Sequence, residues 1–183
     1  ADHTPGDGRP RHRLWRMRAG HVVTATGAIE RPLCFAGNDI PGVMLAGAVR
    51  DYVVNWAVSP GDRTVIVTNN DDAYRTALAL LDAGLVVPAI IDARPAAKGA
   101  LPEEARARGL RVIEGHGIGH VKGSKRVTGV SLCVQAGEGA ELETIACDAV
   151  AMSGGWSPVV HLWSHCGGKL IWDEAQAMFR PDA

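Results

Sequence analysis

Chemistry in this chain would have to arise at a small number of places, and the first is the stretch Val67-Thr68-Asn69-Asn70-Asp71-Asp72-Ala73, where an apolar run gives way to a helical pattern. A strand-to-helix turn of this kind holds the pyrophosphate of a dinucleotide when it carries G-x-G-x-x-G/A. The first glycine permits the turn and the second lets the backbone approach the phosphates. Here Thr68 and Asn70 stand in those two places, and only Ala73 fits the third. Asp71 and Asp72 sit where the helix N-terminus would otherwise attract an anion. The spacing predicts that the outline of a nucleotide site survives without its phosphate cradle, so that the pocket is empty or binds weakly.

Other polar residues offer less. Asp92 ends the next apolar run, where it is either an acceptor for a ribose hydroxyl or a turn residue. Glu114-Gly115-His116-Gly117-Ile118-Gly119 is Gly-rich, but it precedes more strand-like sequence rather than a helix and reads as a loop. His116 and His120 are four apart, as are His161 and His165, and Cys166 follows the second pair. Neither pair has a carboxylate placed as a third ligand, so both read as surface or hydrogen-bonded histidines with no metal. The sequence contains no P-loop, nucleophile elbow or H-E-x-x-H, and no catalytic residue is assigned. The four cysteines (Cys34, Cys133, Cys147 and Cys166) contain no C-x-x-C pair and read as buried thiols in a reducing cytoplasm.

The elements that position these residues follow from the hydrophobic pattern. Residues 1–12 are rich in Pro, Gly and charge and read as a loop or frayed end. Residues 13–18 alternate basic and apolar side chains, the period of a half-exposed strand, and Val22–Ala25 reads as a short buried strand ending at Thr26-Gly27. Met44–Val58 has helical spacing. After the break at Ser59-Pro60-Gly61-Asp62 come a strand (Arg63–Val67), a helix capped by Asp71 or Asp72 and running to Leu81, and a strand (Leu85–Ile91). A second helix (Pro102–Arg108) and a third strand (Leu110–Glu114) complete the unit. This β-α-β-α-β order predicts one half of a doubly wound parallel sheet. Three further runs, at 120–122, 126–134 and 142–147, suit an antiparallel meander. Ala149–Met152 is a last apolar strand, closed by Ser153-Gly154-Gly155, and Leu170–Trp172 is a short one in the tail.

Composition limits the alternatives. The chain has 183 residues, 46% hydrophobic and 21% charged, with a formal net charge of −1, so it has the means to bury a core. Near-neutral charge argues against binding nucleic acid through bulk electrostatics. No apolar run is long enough to span a bilayer.

Two phrases carry a resemblance. Val22–Pro32 (VVTATGAIERP) looks like the ATG strand end of two-dinucleotide flavoprotein reductases, and Ala149–Gly155 resembles the strand end that closes their inserted second domain. Over a longer span, ATGAIERPLCFAGNDIPGVMLAGA and CDAVAMSGGWSPVVHLWSHCGGKLIWDEA resemble the α subunit of heterotetrameric sarcosine oxidase. The likeness runs from about Leu14 to Phe179. It implies a central fragment of an oxidoreductase subunit with an α/β, Rossmann-like fold: residues 1–57 as part of a flavin-type dinucleotide domain, 58–155 as the inserted NAD(P)-type domain with its meander, and 156–183 as the return segment.

That family oxidises sarcosine to glycine with hydrogen peroxide and passes a one-carbon unit to tetrahydrofolate. The resemblance therefore implies NAD in the parent α subunit, FAD and FMN in the parent complex, partner subunits of a hetero-oligomeric cytoplasmic oxidase, and tetrahydrofolate on a C-terminal domain outside this chain. It carries over Ala25, Thr26 and Gly27 as NAD contacts of the parent, and Gly154 and Gly155 as the equivalent corner of the inserted domain. No cofactor is expected to bind this fragment tightly. Two other readings stay open: a working NAD(P)H domain of a flavin-dependent reductase or an opine- or proline-type oxidase, and a non-enzymatic scaffold on which subunits assemble. For the scaffold, Trp156, Leu162 and Trp163 would face outward.

Overall fold

A computed structural model describes residues 12, 14–134 and 140–182. In chain order the elements begin with β1 (Ala28–Glu30), β2 (Val43–Leu45), α1 (Ala46–Trp56), β3 (Thr64–Thr68), α2 (Asp72–Asp82) and β4 (Ile90–Asp92). Then follow α3 (Ala100–Ala107), β5 (Val112–Glu114), β6 (His116–Gly123), β7 (Val127–Val134) and β8 (Thr144–Ala146). The chain continues through β9 (Ala149–Ser153), β10 (Trp156–Pro158), α4 (His161–His165), β11 (Leu170–Asp173) and β12 (Met178–Pro181).

Five strands form a parallel sheet in the order β2-β9-β3-β4-β5. Every residue of β3, β4 and β9 is buried, which is why these strands read as near-continuous apolar runs rather than alternating ones. The helices cover one face, where Val49, Tyr74 and Leu80 pack on Ile66, Ile90 and Ala151. The antiparallel sheet β6-β7-β8 covers the other, with Val121, Val130 and Ile145 against Val65, Ile91 and Val150. This is the expected α/β, Rossmann-like arrangement, the meander filling the layer that crossover helices would otherwise occupy. Two small ribbons, β1 with β10 and β11 with β12, complete the fold. Among the described residues no helix is long and apolar enough to cross a membrane.

The structure corrects several local expectations. Residues 14–25 form no strand, and Val22 and Val23 are 79% and 90% exposed. A strand needs a partner ladder, and the first residues to find one are Ala28–Glu30, against β10. Met44 and Leu45 are strand, and the helix begins only at Ala46. The run at 85–91 makes an isolated bridge at Val86 and a ladder only from Ile90, because Pro88 between them lacks a donor. The Gly-rich run is not a loop: His116 opens β6. Neither Asp71 nor Asp72 caps α2 through its side chain. Cys34 and Cys166 are exposed rather than buried, Cys133 is half-buried, and Cys147 is buried. The expected turn at 137–139 and the segment 1–11 lie outside the described residues.

Candidate functional site

The order β9-β3-β4 places a topological switch point between β3 and β9, with α2 leaving from β3. Outside the C-terminal ends of these strands is the crevice where such sheets take ligands. Thr68 and Ser153 end β3 and β9 side by side. The Thr68 hydroxyl accepts from the backbone N–H of Asn70 and donates to its carbonyl, both at 3.0 Å. Asn70 Oδ1 then accepts from the backbone N–H of Asp72, the first residue of α2, at 3.0 Å. Its Nδ2 donates to the carbonyl and hydroxyl of Ser153 at 3.2 and 3.1 Å, locking the turn to the neighbouring strand. The backbone N–H groups of Asn70 and Asp72, two donors of the turn, are therefore already bonded within the chain.

Charge completes the closure. The Asp71 carboxylate at the start of α2 pairs with Arg94 Nη1 at 2.7 Å. Arg94 Nη2 and Nε reach the Asp92 carboxylate at 2.7 and 3.0 Å. Asp92 is fully buried and also accepts from the Tyr74 hydroxyl at 2.8 Å and the Arg94 backbone N–H at 3.0 Å. Burial first, and the hydrogen bond to Asp92 second, push the Tyr74 phenol above its ordinary range, so it remains a donor. Asp92 is thus an internal acceptor with both oxygens engaged. Asp72 is held from the other side by Arg50 at 3.1 Å. Sequence reasoning missed Arg94; its place two residues beyond the strand-ending acid was the available signal.

Beside this turn lies an open cleft of about 580 Å³ lined by Arg31, Asn69, Asn70, Gly154, Gly155 and Trp156 among others. The structure brings Gly154 and Gly155 to it, and their reason for being glycine is local. Gly154 N–H donates to the Arg31 carbonyl at 2.7 Å, and a Cβ there would stand 2.9 Å from the Pro32 carbonyl. Gly155 has φ +94° and packs against the Arg31 guanidinium. Arg31, also missed, donates to the carbonyls of Ala177 and Gln176 at 2.8 and 3.2 Å and so pins the β11–β12 turn over the cleft. Ala25, Thr26 and Gly27 are exposed and do not line it. Thr26 Oγ1 instead donates to the Val159 carbonyl at 2.6 Å, and Gly27 turns at φ +70°.

The histidine pairs divide. His116 Nδ1 contacts the Glu114 carbonyl at 2.6 Å, and His120 pairs with Glu141 at 2.6 Å. His161 and His165 are exposed at the ends of α4. Among the described residues no group of three or more His, Cys, Asp or Glu converges as a metal site. Of the three side chains expected to face outward, Leu162 does, while Trp156 and Trp163 are half-buried.

No family model matches the chain. Among curated proteins it is 44% identical over 175 residues to the sarcosine oxidase α subunit of Rhizobium meliloti, covering 96% of this chain and 17% of that one. It is 42% identical over 186 residues to the corresponding protein of Corynebacterium sp. strain P-1, covering 100% and 19%. The chain corresponds to a segment of the sarcosine oxidase α subunit. It spans less than one fifth of the length of those relatives. An opine oxidase subunit of Rhizobium meliloti is more distant, 28% identical over 184 residues, covering 90% of this chain and 34% of that one. Among solved structures, the fold is shared with T. acidophilum thioredoxin reductase (TM-score 0.62, 22% identity, 81% of this chain and 48% of that one). The L-proline dehydrogenase of P. horikoshii is also similar (TM-score 0.58, 21% identity, 86% and 25%).

Proposed function

We propose that this chain is the scaffold segment of a larger oxidoreductase polypeptide, a piece of a sarcosine oxidase-like complex that carries no catalytic group and is inactive alone. The observation that carries this reading is the turn at the end of β3. Thr68 and Asn70 bond its backbone, and Asp71, Arg94, Asp92 and Tyr74 bond to one another where phosphate and ribose would sit, two carboxylates sharing one guanidinium. These residues do not fit a dinucleotide, since a carboxylate at the helix N-terminus repels pyrophosphate. Ala25, Thr26 and Gly27 are proposed as contacts of NAD in the parent protein only, because a Gly-rich loop must complete such a site. Gly154 and Gly155, which line the neighbouring corner of the cleft, are likewise proposed as cofactor contacts in the parent protein only.

In the same reading the parent complex demethylates sarcosine to glycine, using FAD and FMN, with hydrogen peroxide as product and transfer of the one-carbon unit to tetrahydrofolate. It works in the cytoplasm with partner subunits. Residues 1–57 and 156–183 belong to a flavin-type unit, and 58–155 to the inserted one; β2 and α1 are then the elements by which the first docks on the sheet of the second. Support for this division comes from the sequence break at Ser59–Asp62 and from the resemblance at both boundaries.

Calorimetric titration of the chain with NAD⁺ and NADH tests the reading. Only heats of dilution are expected up to millimolar concentration. Saturable micromolar binding would overturn it and favour a working NAD(P)H domain of a reductase or an opine-type oxidase.

A further inference from the structure

The two histidine pairs share one spacing in the sequence and reach different structures. His116 and His120 lie in the extended strand β6, with a register break between Ile118 and His120. Each ring is already engaged, one by the Glu114 carbonyl and the other by the Glu141 carboxylate. His161 and His165 instead open and close α4, and both are exposed, so their rings are open to a ligand. We infer that His161 and His165 form a two-imidazole surface site for a divalent transition metal of the Zn²⁺, Ni²⁺ and Cu²⁺ class. This goes beyond the scaffold reading and does not depend on it.

Residues four apart on a helix share one face, with Cβ atoms about 5–6 Å apart. From that separation both rings can reach one ion at the ordinary Zn–N distance of about 2.0–2.1 Å. The backbone fixes this spacing. Ser164 N–H donates to the Val160 carbonyl at 3.0 Å and Cys166 N–H to the Leu162 carbonyl at 3.1 Å, so 161–165 is an α-helical turn. Gly167, at φ +84°, then ends it, its N–H donating to the Ser164 carbonyl at 3.0 Å. Trp163 is two residues from each histidine, which places it on the opposite side of the turn. It is half-buried, its Nε1 donates to the Lys169 carbonyl at 2.8 Å, and Gly168 packs on its indole. The indole thus anchors the inner face and leaves the imidazoles outside. Donor chemistry selects the metal: neutral imidazole suits Zn²⁺, Ni²⁺ and Cu²⁺, whereas Ca²⁺ and Mg²⁺ are held by oxygen. Among the described residues no third His, Cys, Asp or Glu joins the pair, so water fills the other positions. The missing third ligand excludes a closed structural centre but not an open, exchangeable one.

Titration of the chain with Zn²⁺, followed ring by ring in the ¹H–¹⁵N spectrum of the assigned imidazoles, tests the site and separates it from the other histidines. The signals of His161 and His165 are expected to move together with one midpoint. His161→Ala and His165→Ala each remove an exposed side chain and should leave the rest of the spectrum in place. In either variant the remaining ring should bind Zn²⁺ about tenfold more weakly, because the second imidazole no longer acts at high effective concentration. Cys166 follows α4 and is also exposed, so its thiol is the competing ligand. Cys166→Ser should leave the common midpoint unchanged. The inference is overturned if neither ring moves at millimolar Zn²⁺, or if the two rings titrate with separate midpoints. It is equally overturned if a single-alanine variant binds as well as wild type, or if Cys166→Ser abolishes binding.

Discussion

Arg94 is the residue on which the closed turn depends. Its guanidinium joins a fully buried carboxylate, Asp92, to a half-exposed one, Asp71, and the pair is partly shielded from water. Removing one partner of a buried pair leaves an uncompensated charge. Arg94→Ala is therefore expected to destabilise the protein by about 3 kcal/mol, read as a lower urea midpoint with an unchanged m-value. A second residue-scale effect concerns Cys147. Burial first, and the nearby Asp148 carboxylate second, push its thiol from 9.0 up to about 12. The folded protein holds this proton where the unfolded chain releases it. Its contribution is therefore complete below pH 9 and is lost as pH rises toward 12. Unfolding midpoints at about pH 8 and about pH 10 should show a loss of stability that Cys147→Ala reduces. The missing glycines of the turn were legible in the sequence, as was the placing of two aspartates at a helix start. What replaced the cradle was not legible, because a bond between Asp71 and Arg94 is made across a strand and a loop and leaves no periodic trace.

At the scale of elements, the parallel sheet was readable because strands buried on both faces must be apolar along their length, as Val65–Val67 and Val150–Met152 are. The meander was readable from its strand-like runs and the turn residues between them. Segment 14–25 was not, since a strand-like pattern predicts a strand whether or not a neighbour exists to pair with it. Nor was the ribbon of β1 and β10, whose register brings Glu30 opposite Trp156 across more than a hundred residues of chain. That ribbon leads into the tightest backbone approach at the cleft, Gly154 against Arg31 and Pro32. Gly154→Ala places a methyl 2.9 Å from a carbonyl oxygen that cannot turn away. It should cost about 1–3 kcal/mol by thermal or chemical unfolding. Gly167→Ala, where space is open but φ is +84°, separates crowding from backbone strain, the latter costing about 1 kcal/mol.

For the whole molecule, the chain pairs a well-buried α/β core with an apolar margin that its own fold leaves bare. Leu14, Trp15, Met17, Val22 and Val23 are each more than 70% exposed, and the relatives carry more than five times as much sequence. Both facts suit a segment that holds a larger polypeptide together, with the chemistry carried elsewhere. Its own side chains, Thr68, Asn70 and the Asp71–Arg94 pair, occupy the turn where a nucleotide's phosphates would bind. The most direct measurement is the ¹H–¹⁵N spectrum of the chain during titration with NADH, following the backbone amides of Asn70 and Asp72. Both should stay unmoved, since Thr68 Oγ1 and Asn70 Oδ1 already hold them. Saturable shifts at these two amides would mean that the turn opens to cradle pyrophosphate, and would contradict the account.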